Sequence, residues 1–145
     1  MKIYIFFFLI LLASTSTVAE PVSHRATLVH VIDAATYALD VHLDGEIKRI
    51  NVSLSGLSVP KIYGPTCERE AAQAAKIFVK NILLPNEPVK VSNIHLKNAR
   101  LTGQIEFDGR DLADILIRFK QARPDDFSGS WCSAGAYNID GLARN

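Results

Sequence analysis

A polar loop in the first half of the chain is the first place where side chains could do chemistry. The stretch LSGLSVPKIYGP (Leu54–Pro65) follows a short alternating segment. Such a loop presents polar groups at the end of a sheet, where enzymes often place functional residues. Ser58 and Lys61 stand where a carboxylate would suit hydrolytic or metal chemistry. The loop therefore has the form of an active-site loop that lacks an acid or a base.

Other reactive side chains lack the spacing that chemistry requires. No histidine lies two or four residues from another, which argues against a zinc or acid–base pair; the four are His24, His30, His42 and His95. Serines flank Trp131-Cys132, but no Gly-x-Ser-x-Gly turn accompanies them. We expect structural or surface roles for these residues, with Trp131 packed over a neighbouring disulfide.

The first residues predict export. Lys2, an apolar run from Ile3 to Ala13 and small residues up to Ala19 are typical of a secretory signal peptide at 1–19. The run is shorter than the roughly 20 apolar residues of a membrane span, although an uncleaved N-terminal anchor is the alternative. After cleavage the protein would be secreted or periplasmic, with no transmembrane segment.

Composition predicts one domain, over 20–134, followed by a flexible tail over 135–145. The two cysteines, Cys67 and Cys132, predict a disulfide in an exported chain, with a metal or catalytic thiol pair as the alternative. Loss of Lys2 with the signal peptide leaves 15 basic against 15 acidic residues. Net charge therefore gives no global attraction to nucleic acid or to an anionic membrane.

Hydrophobic periodicity predicts the order βββ-α-ββ-α. Alternating apolar residues predict five strands, over 25–33, 36–45, 47–57, 87–97 and 99–109. Helical spacing predicts a helix over 66–84 with Thr66 as its N-cap, and a second over 110–122 with Phe119 facing inward. Five short strands with a helix between the third and the fourth are the order of an OB barrel. We therefore expect a mainly β, α+β fold: a five-stranded OB-fold barrel with two helices.

Four segments then carry a family resemblance. ATLVHVIDAAT, INVSLSGLSVPK, CEREAAQAAKIFVKNIL and LTGQIEFDGRDLADILI follow one another over about residues 25–123. In order and spacing they resemble the staphylococcal-nuclease (thermonuclease) family, and CEREAA, DGRDLAD and ARP…WC resemble its exported, disulfide-containing bacterial branch. The resemblance implies a staphylococcal-nuclease-like barrel. It also implies a calcium-dependent phosphodiesterase that cuts DNA and RNA by in-line attack of water.

The resemblance places the family's chemistry on five positions, of which one keeps its residue type. In the IDAAT segment, Ala35 stands where the family has its first calcium aspartate. Ser53 stands at a phosphate-binding arginine, Ser58 at a second calcium aspartate and Lys61 at the glutamate that assists the water. Arg100 matches the second arginine. Because both calcium carboxylates and the base are replaced, we expect the reaction to be lost.

Three interpretations of function follow. The leading one is a binding or accessory module without a cofactor, whose partner is nucleic acid, a glycan or an envelope protein. The alternative is a DNA/RNA endonuclease with a relocated or weakened calcium site built from Asp33, Asp40 or Glu68. The simpler expectation is that Asp33 caps a turn, Asp40 lies on the outer surface of a strand and Glu68 favours the start of a helix. The third is a structural protein of an envelope complex. The sequence does not specify an oligomeric state.

Five basic residues could also form a strip near the barrel face. They are Lys48, Arg49, Lys90, Lys97 and Arg100. Scattered, solvated cations on strand exteriors are the simpler expectation.

Overall fold

The computed structural model describes residues 21–132, which form a closed five-stranded β-barrel with two helices. This confirms the mainly β, OB-like α+β class. The predicted signal peptide at 1–19 and the predicted tail at 135–145 lie outside the described residues.

The barrel wall consists of five long strands with alternating core-facing side chains. They are β1 Ser23–Val31, β2 Thr36–Leu43, β3 Glu46–Leu54, β5 Pro88–Lys97 and β6 Arg100–Phe107. Neighbours in the order β3-β2-β1-β5-β6 are antiparallel, and a parallel pairing of β3 with β6 closes the barrel. The shorter strands are β4 Leu57–Ser58, β7 Arg110–Asp111 and β8 Arg123–Pro124.

Close approach of strands explains a glycine in the closing pair. Gly103 lies beside Leu54, and a Cβ atom on it would meet the Ser92 carbonyl oxygen at 3.0 Å. A side chain there would push β5 away from β6, so the position favours glycine.

Tight turns with left-handed backbone connect the hairpins. Asp44-Gly45 connects β2 to β3 with φ of 51° and 83°, and Asp108-Gly109 connects β6 to β7 with φ of 50° and 72°. Asn98 and Ala99 take the same conformation, with φ of 51° and 61°, although neither is glycine. This turn sets Lys97 directly opposite Arg100.

The core fills the barrel interior and continues beneath the helices. Tyr37, Leu39 and Val41, which alternate along β2, are fully buried. Tyr37 is the largest buried side chain, and its hydroxyl donates to the Ala34 carbonyl oxygen. Burial, together with nearby Asp33, holds the pKa of Tyr37 far above its ordinary value.

The first helix, α1, spans Thr66–Ile82 and packs a stripe of small residues against the barrel. Ala71, Ala75 and Val79 lie on its buried side. The predicted N-cap, Thr66, is wrong: Pro65 occupies the N-cap position and no side chain caps the helix. The Thr66 hydroxyl accepts a hydrogen bond from Arg69 Nη2 instead (3.2 Å), inside the first turn.

The second helix, α2, spans Leu112–Arg118 and is shorter than predicted. It starts late because Arg110 and Asp111 pair with β6, and Asp111 then caps the helix by accepting from Ala113 N (2.8 Å). The prediction that Phe119 faces inward is also wrong. Its side chain follows the helix end, is 56% exposed and packs its ring 5.3 Å from that of Phe78.

The C-terminal part of the described chain folds back onto the end of β3. Strand β8 pairs with β4, and Asp125 N donates to the Gly56 carbonyl oxygen (3.3 Å). The predicted disulfide Cys67–Cys132 is confirmed, with Cα atoms 5.5 Å apart. Residues 123–132 are thereby held against the start of α1.

Candidate functional site

A shallow depression lies where the closing strands meet the β5–β6 turn. Its volume is about 430 Å³, and its lining residues are Ser53, Lys97, Asn98, Arg100 and Thr102. The parallel register places Ser53 beside Thr102, and the hairpin register places Lys97 opposite Arg100. Two of the five predicted positions, Ser53 and Arg100, therefore line one surface.

A row of short polar side chains crosses four strands beside the depression. Thr36 Oγ1 lies 3.2 Å from Ser53 Oγ, and Thr102 Oγ1 lies 2.9 Å from His95 Nε2. His95 Nδ1 lies 2.8 Å from the Asn93 carbonyl oxygen, which can only accept, so Nδ1 carries a proton. In the neutral ring, Nε2 therefore accepts from Thr102. Each of these two pairs is held by a hydrogen bond between neighbouring strands.

The charge in the depression is positive and uncompensated. Among residues 21–132, neither Lys97 nor Arg100 forms a salt bridge, and no carboxylate lines the depression. The remaining members of the predicted basic strip are paired with carboxylates: Lys48 with Glu46, Arg49 with Asp40 and Lys90 with Glu106. The strip is therefore reduced to two unpaired cations on one hairpin.

Ala35, the first predicted calcium position, is buried and does not line the depression. Its carbonyl oxygen accepts from Leu54 N (2.8 Å), and its N–H donates to Asp33 Oδ1 (2.8 Å). The Asp33 carboxylate thus closes the β1–β2 turn. A methyl group at Ala35 offers no oxygen to a hard cation.

Ser58 and Lys61 are not among the residues that line the depression. Ser58 lies in β4, opposite Arg123 of β8. Lys61 is exposed, and its backbone N–H donates to Glu68 Oε1 (2.9 Å). Gly64 lies so close to the Glu68 carboxylate that a Cβ atom there would overlap it. Glu68 therefore fixes the loop between β4 and α1.

The residues at the implied calcium site do not fit a calcium ion. Calcium takes six to eight oxygen ligands, but the two implied calcium positions, Ala35 and Ser58, offer one buried methyl group and one hydroxyl. The acids considered as substitutes are engaged: Asp33 in its turn, Glu68 with Lys61, and Asp40 in a two-point ion pair with Arg49. In the described part of the chain, no three His, Cys, Asp or Glu side chains cluster to hold a metal.

The Asp40–Arg49 pair changes a local pKa. Arg49 Nε and Nη2 lie 2.8 and 2.9 Å from the two Asp40 carboxylate oxygens across β2 and β3. The hydrogen bonds from Arg49 lower the pKa of Asp40 below its ordinary value. The pair is exposed and structural, because both partners point away from the core.

Sequence reasoning missed a stacked arginine next to the disulfide. The Arg123 guanidinium lies 4.0 Å from the Phe127 ring centroid and 4.2 Å from that of Trp131, and Nη1 donates to the Ser130 carbonyl oxygen (3.2 Å). We expected Trp131 to cover the disulfide, and the structure places its ring against Arg123. The sequence signal that could have predicted this stacking is the pair Phe127 and Trp131, four residues apart and shortly after Arg123-Pro124.

Comparison with known proteins adds no assignment: no protein-family model and no curated protein matches the chain. The resemblance to the staphylococcal-nuclease family therefore stays a prediction from the residues. Among residues 21–132, no helix is long and apolar enough to cross a membrane.

Proposed function

We propose that this protein is a staphylococcal-nuclease-like binding module that has lost calcium-dependent hydrolysis and binds the phosphodiester backbone of single-stranded nucleic acid. The observation that carries the proposal is the placement of Lys97 and Arg100 side by side, without carboxylate partners among the described residues, beside the hydroxyls of Ser53 and Thr102.

The depression has the donors that a phosphate oxygen needs. Residues directly opposite in a hairpin have Cβ atoms about 5 Å apart, so an ammonium and a guanidinium can reach the same anionic group. The Ser53 hydroxyl, which also lines the depression, can add a further donor. Arg100 can supply two parallel N–H groups, and Lys97 a mobile point charge. OB-type barrels bind oligonucleotides on an open face, which supports the proposal by fold analogy.

The same residues argue against hydrolysis. In-line attack on a phosphodiester needs a group that activates water and charge that stabilises the transition state. Lys61 stands at the implied base position and offers an amine in place of a carboxylate. Ala35 and Ser58 lack the carboxylates that would hold calcium. Binding charge survives in this arrangement, while the groups for bond cleavage do not.

Salt dependence of oligonucleotide binding tests the ligand. With fluorescein-labelled oligo(dT), two phosphate contacts predict a slope of log K against log salt near −1.4, from roughly 0.7 per contact. Arg100→Gln should reduce the magnitude of this slope by about 0.7. It should also weaken binding about fivefold at 0.1 M salt, since one phosphate contact raises the binding constant by about that factor between 1 M and 0.1 M salt. The matched control is Lys90→Gln, because Lys90 is already paired with Glu106 (3.0 Å).

Two outcomes would contradict this ligand. One is equal weakening by Arg100→Gln and Lys90→Gln, which would mean diffuse attraction. The other is no binding at low salt, which would favour the glycan or envelope-protein partner.

A cleavage assay tests the loss of activity separately. We expect no turnover of DNA or RNA in calcium, magnesium or manganese. Turnover that EDTA abolishes and Arg100→Gln removes would support the endonuclease alternative, with a relocated metal site.

We also propose that the mature domain begins at Glu20 and works outside the cytoplasm. The Cys67–Cys132 disulfide supports this, because such bonds persist in oxidising compartments. Protein recovered from the periplasm or medium should have the intact mass of a chain that begins at Glu20. Reduction of the disulfide should raise that mass by two hydrogens. A mass that includes residues 1–19 would favour the uncleaved anchor.

A further inference from the structure

A second concave surface lies between the two helices, at the other end of β6. Its volume is about 870 Å³. Strand β6 runs from Arg100 in the depression to Phe107 in this groove. At about 3.3 Å per residue the two surfaces are some 20 Å apart, so the groove is separate from the proposed nucleic-acid site. We call this surface the helix groove.

The floor of the helix groove is apolar and aromatic. It is formed by five side chains from α1, β6, α2 and the residue that follows α2: Phe78, Ile82, Phe107, Ile115 and Phe119. The Phe78 and Phe119 rings meet at 5.3 Å, yet Phe119 remains 56% exposed. Exposed apolar surface in a concave setting is typical of binding sites.

The rim of the helix groove is polarised along α2. Asp108, Asp111 and Asp114 lie at the end where α2 begins, together with Arg110, whereas Arg118 lies in its last turn. None of these side chains forms a salt bridge within the described residues. Partial burial raises the pKa of Asp111, and the nearby carboxylates of Asp114 and Glu106 add to the rise.

Helix geometry fixes the spacing of the two poles. Asp111 caps α2 and Arg118 is seven residues later, a rise of about 10 Å, or two turns. Asp114, Ile115 and Arg118 line the groove from one face of α2, and Phe119 lines it directly after the helix end. A complementary ligand therefore needs a cation, an apolar middle and an anion over the same length.

From this pattern we propose that the helix groove binds an amphipathic helical segment of a partner protein. Charge complementarity selects this occupant: its basic residue lies against Asp111, and its acidic residue, two turns away, lies against Arg118. Asp114, one turn from Arg118, adds to the negative charge that the basic residue meets. Apolar side chains at the intervening i+3 and i+4 positions cover Phe78 and Phe119. This is the helix-in-groove mode of recognition, in which residues at i, i+3, i+4 and i+7 anchor the segment.

A designed peptide tests the proposal. The probe is a fluorescein-labelled, alanine-based helix with Lys at i, Leu at i+3, Phe at i+4 and Glu at i+7. We expect saturable binding by fluorescence anisotropy to the full protein. Replacing the Leu and Phe of the probe by Ser should abolish binding, because the probe then buries no apolar surface against the floor of the groove.

Protein variants locate the peptide. Phe119→Ser should weaken binding about tenfold, as loss of a central aromatic contact does, while Ile77→Ser should leave it unchanged. Ile77 is the matched control because it is 58% exposed, on α1, and does not line the groove. Asp114→Asn and Arg118→Gln should each weaken binding about two- to fivefold, the range for exposed ion pairs.

The charge pairing has its own test. Arg118→Gln should have no effect on a probe whose Glu is replaced by Gln, and Asp114→Asn none on a probe whose Lys is replaced by Gln. Equal effects on charged and neutral probes would overturn the polarity of the groove. No binding of the charged probe, or equal weakening by Phe119→Ser and Ile77→Ser, would overturn the helix groove as a docking site.

Discussion

Removal of the Cys67–Cys132 disulfide should lower the stability of the protein strongly. Cys67 and Cys132 are 65 residues apart in sequence and 5.5 Å apart at Cα. Closing a loop of this length in the unfolded chain lowers its conformational entropy enough to stabilise the fold by about 4 kcal/mol, in the chain-entropy account. For a domain of this size, 4 kcal/mol corresponds to a fall in Tm of about 15 °C. The double variant Cys67→Ser/Cys132→Ser should show this fall.

Thermal and urea unfolding, followed by far-UV circular dichroism, measure the effect. The variant should refold to the same spectrum, because the barrel is closed by β3 and β6 and not by the disulfide. Its urea m-value should rise, since the unfolded chain becomes more expanded. Reductant should destabilise the natural protein and leave the variant unchanged. A fall in Tm below about 4 °C, or roughly 1 kcal/mol, would refute the reasoning.

Two further predictions concern local interactions. Gly64→Ala should cost about 1 kcal/mol, because its new methyl group displaces the Glu68 carboxylate from the Lys61 N–H. In a Glu68→Ala background the cost should be clearly smaller, because only the contact with the Cβ of residue 68 at 3.1 Å remains; an equal cost there by urea unfolding would exclude the carboxylate as the cause. Asp40→Asn should destabilise the protein at pH 7 but not near pH 2, because the lowered pKa of Asp40 adds stability above its ordinary value of 3.8 that is lost as pH falls through the folded-state pKa. A pH-independent difference between the two proteins would contradict that reading.

The fold could be predicted because its signals are local. Alternation in Thr36–Leu43 and the Asp44-Gly45 turn specify a hairpin without any knowledge of distant residues. The errors arose where tertiary contacts override local preference. Helix α2 was predicted to start at Arg110, but pairing with β6 keeps Arg110 and Asp111 extended. Phe119 fits the inward helical spacing, yet the helix ends before it.

The candidate site was less accessible from sequence, because pairing across strands decides which charges are free. Nothing in the sequence distinguishes Lys90, paired with Glu106, from Lys97, which faces Arg100. The turn at Asn98-Ala99 lacks glycine, so its left-handed geometry carries no strong signal. The helix groove was missed because tertiary packing assembles its floor from elements that are far apart in the chain.

The parallel pairing of β3 with β6 also imposes an order on folding during synthesis, because the N-terminal strands are made first. Strands β1, β2 and β3 can form a meander early, but their apolar face stays open until Gly103 is available to close the barrel. Pairing of β4 with β8 waits still longer, for Arg123. Contacts of this sequence separation form slowly and leave apolar surface exposed meanwhile. A nascent chain interrupted before Gly103 would therefore be a substrate for chaperones and proteases, while one that continues to Cys132 is closed and then cross-linked.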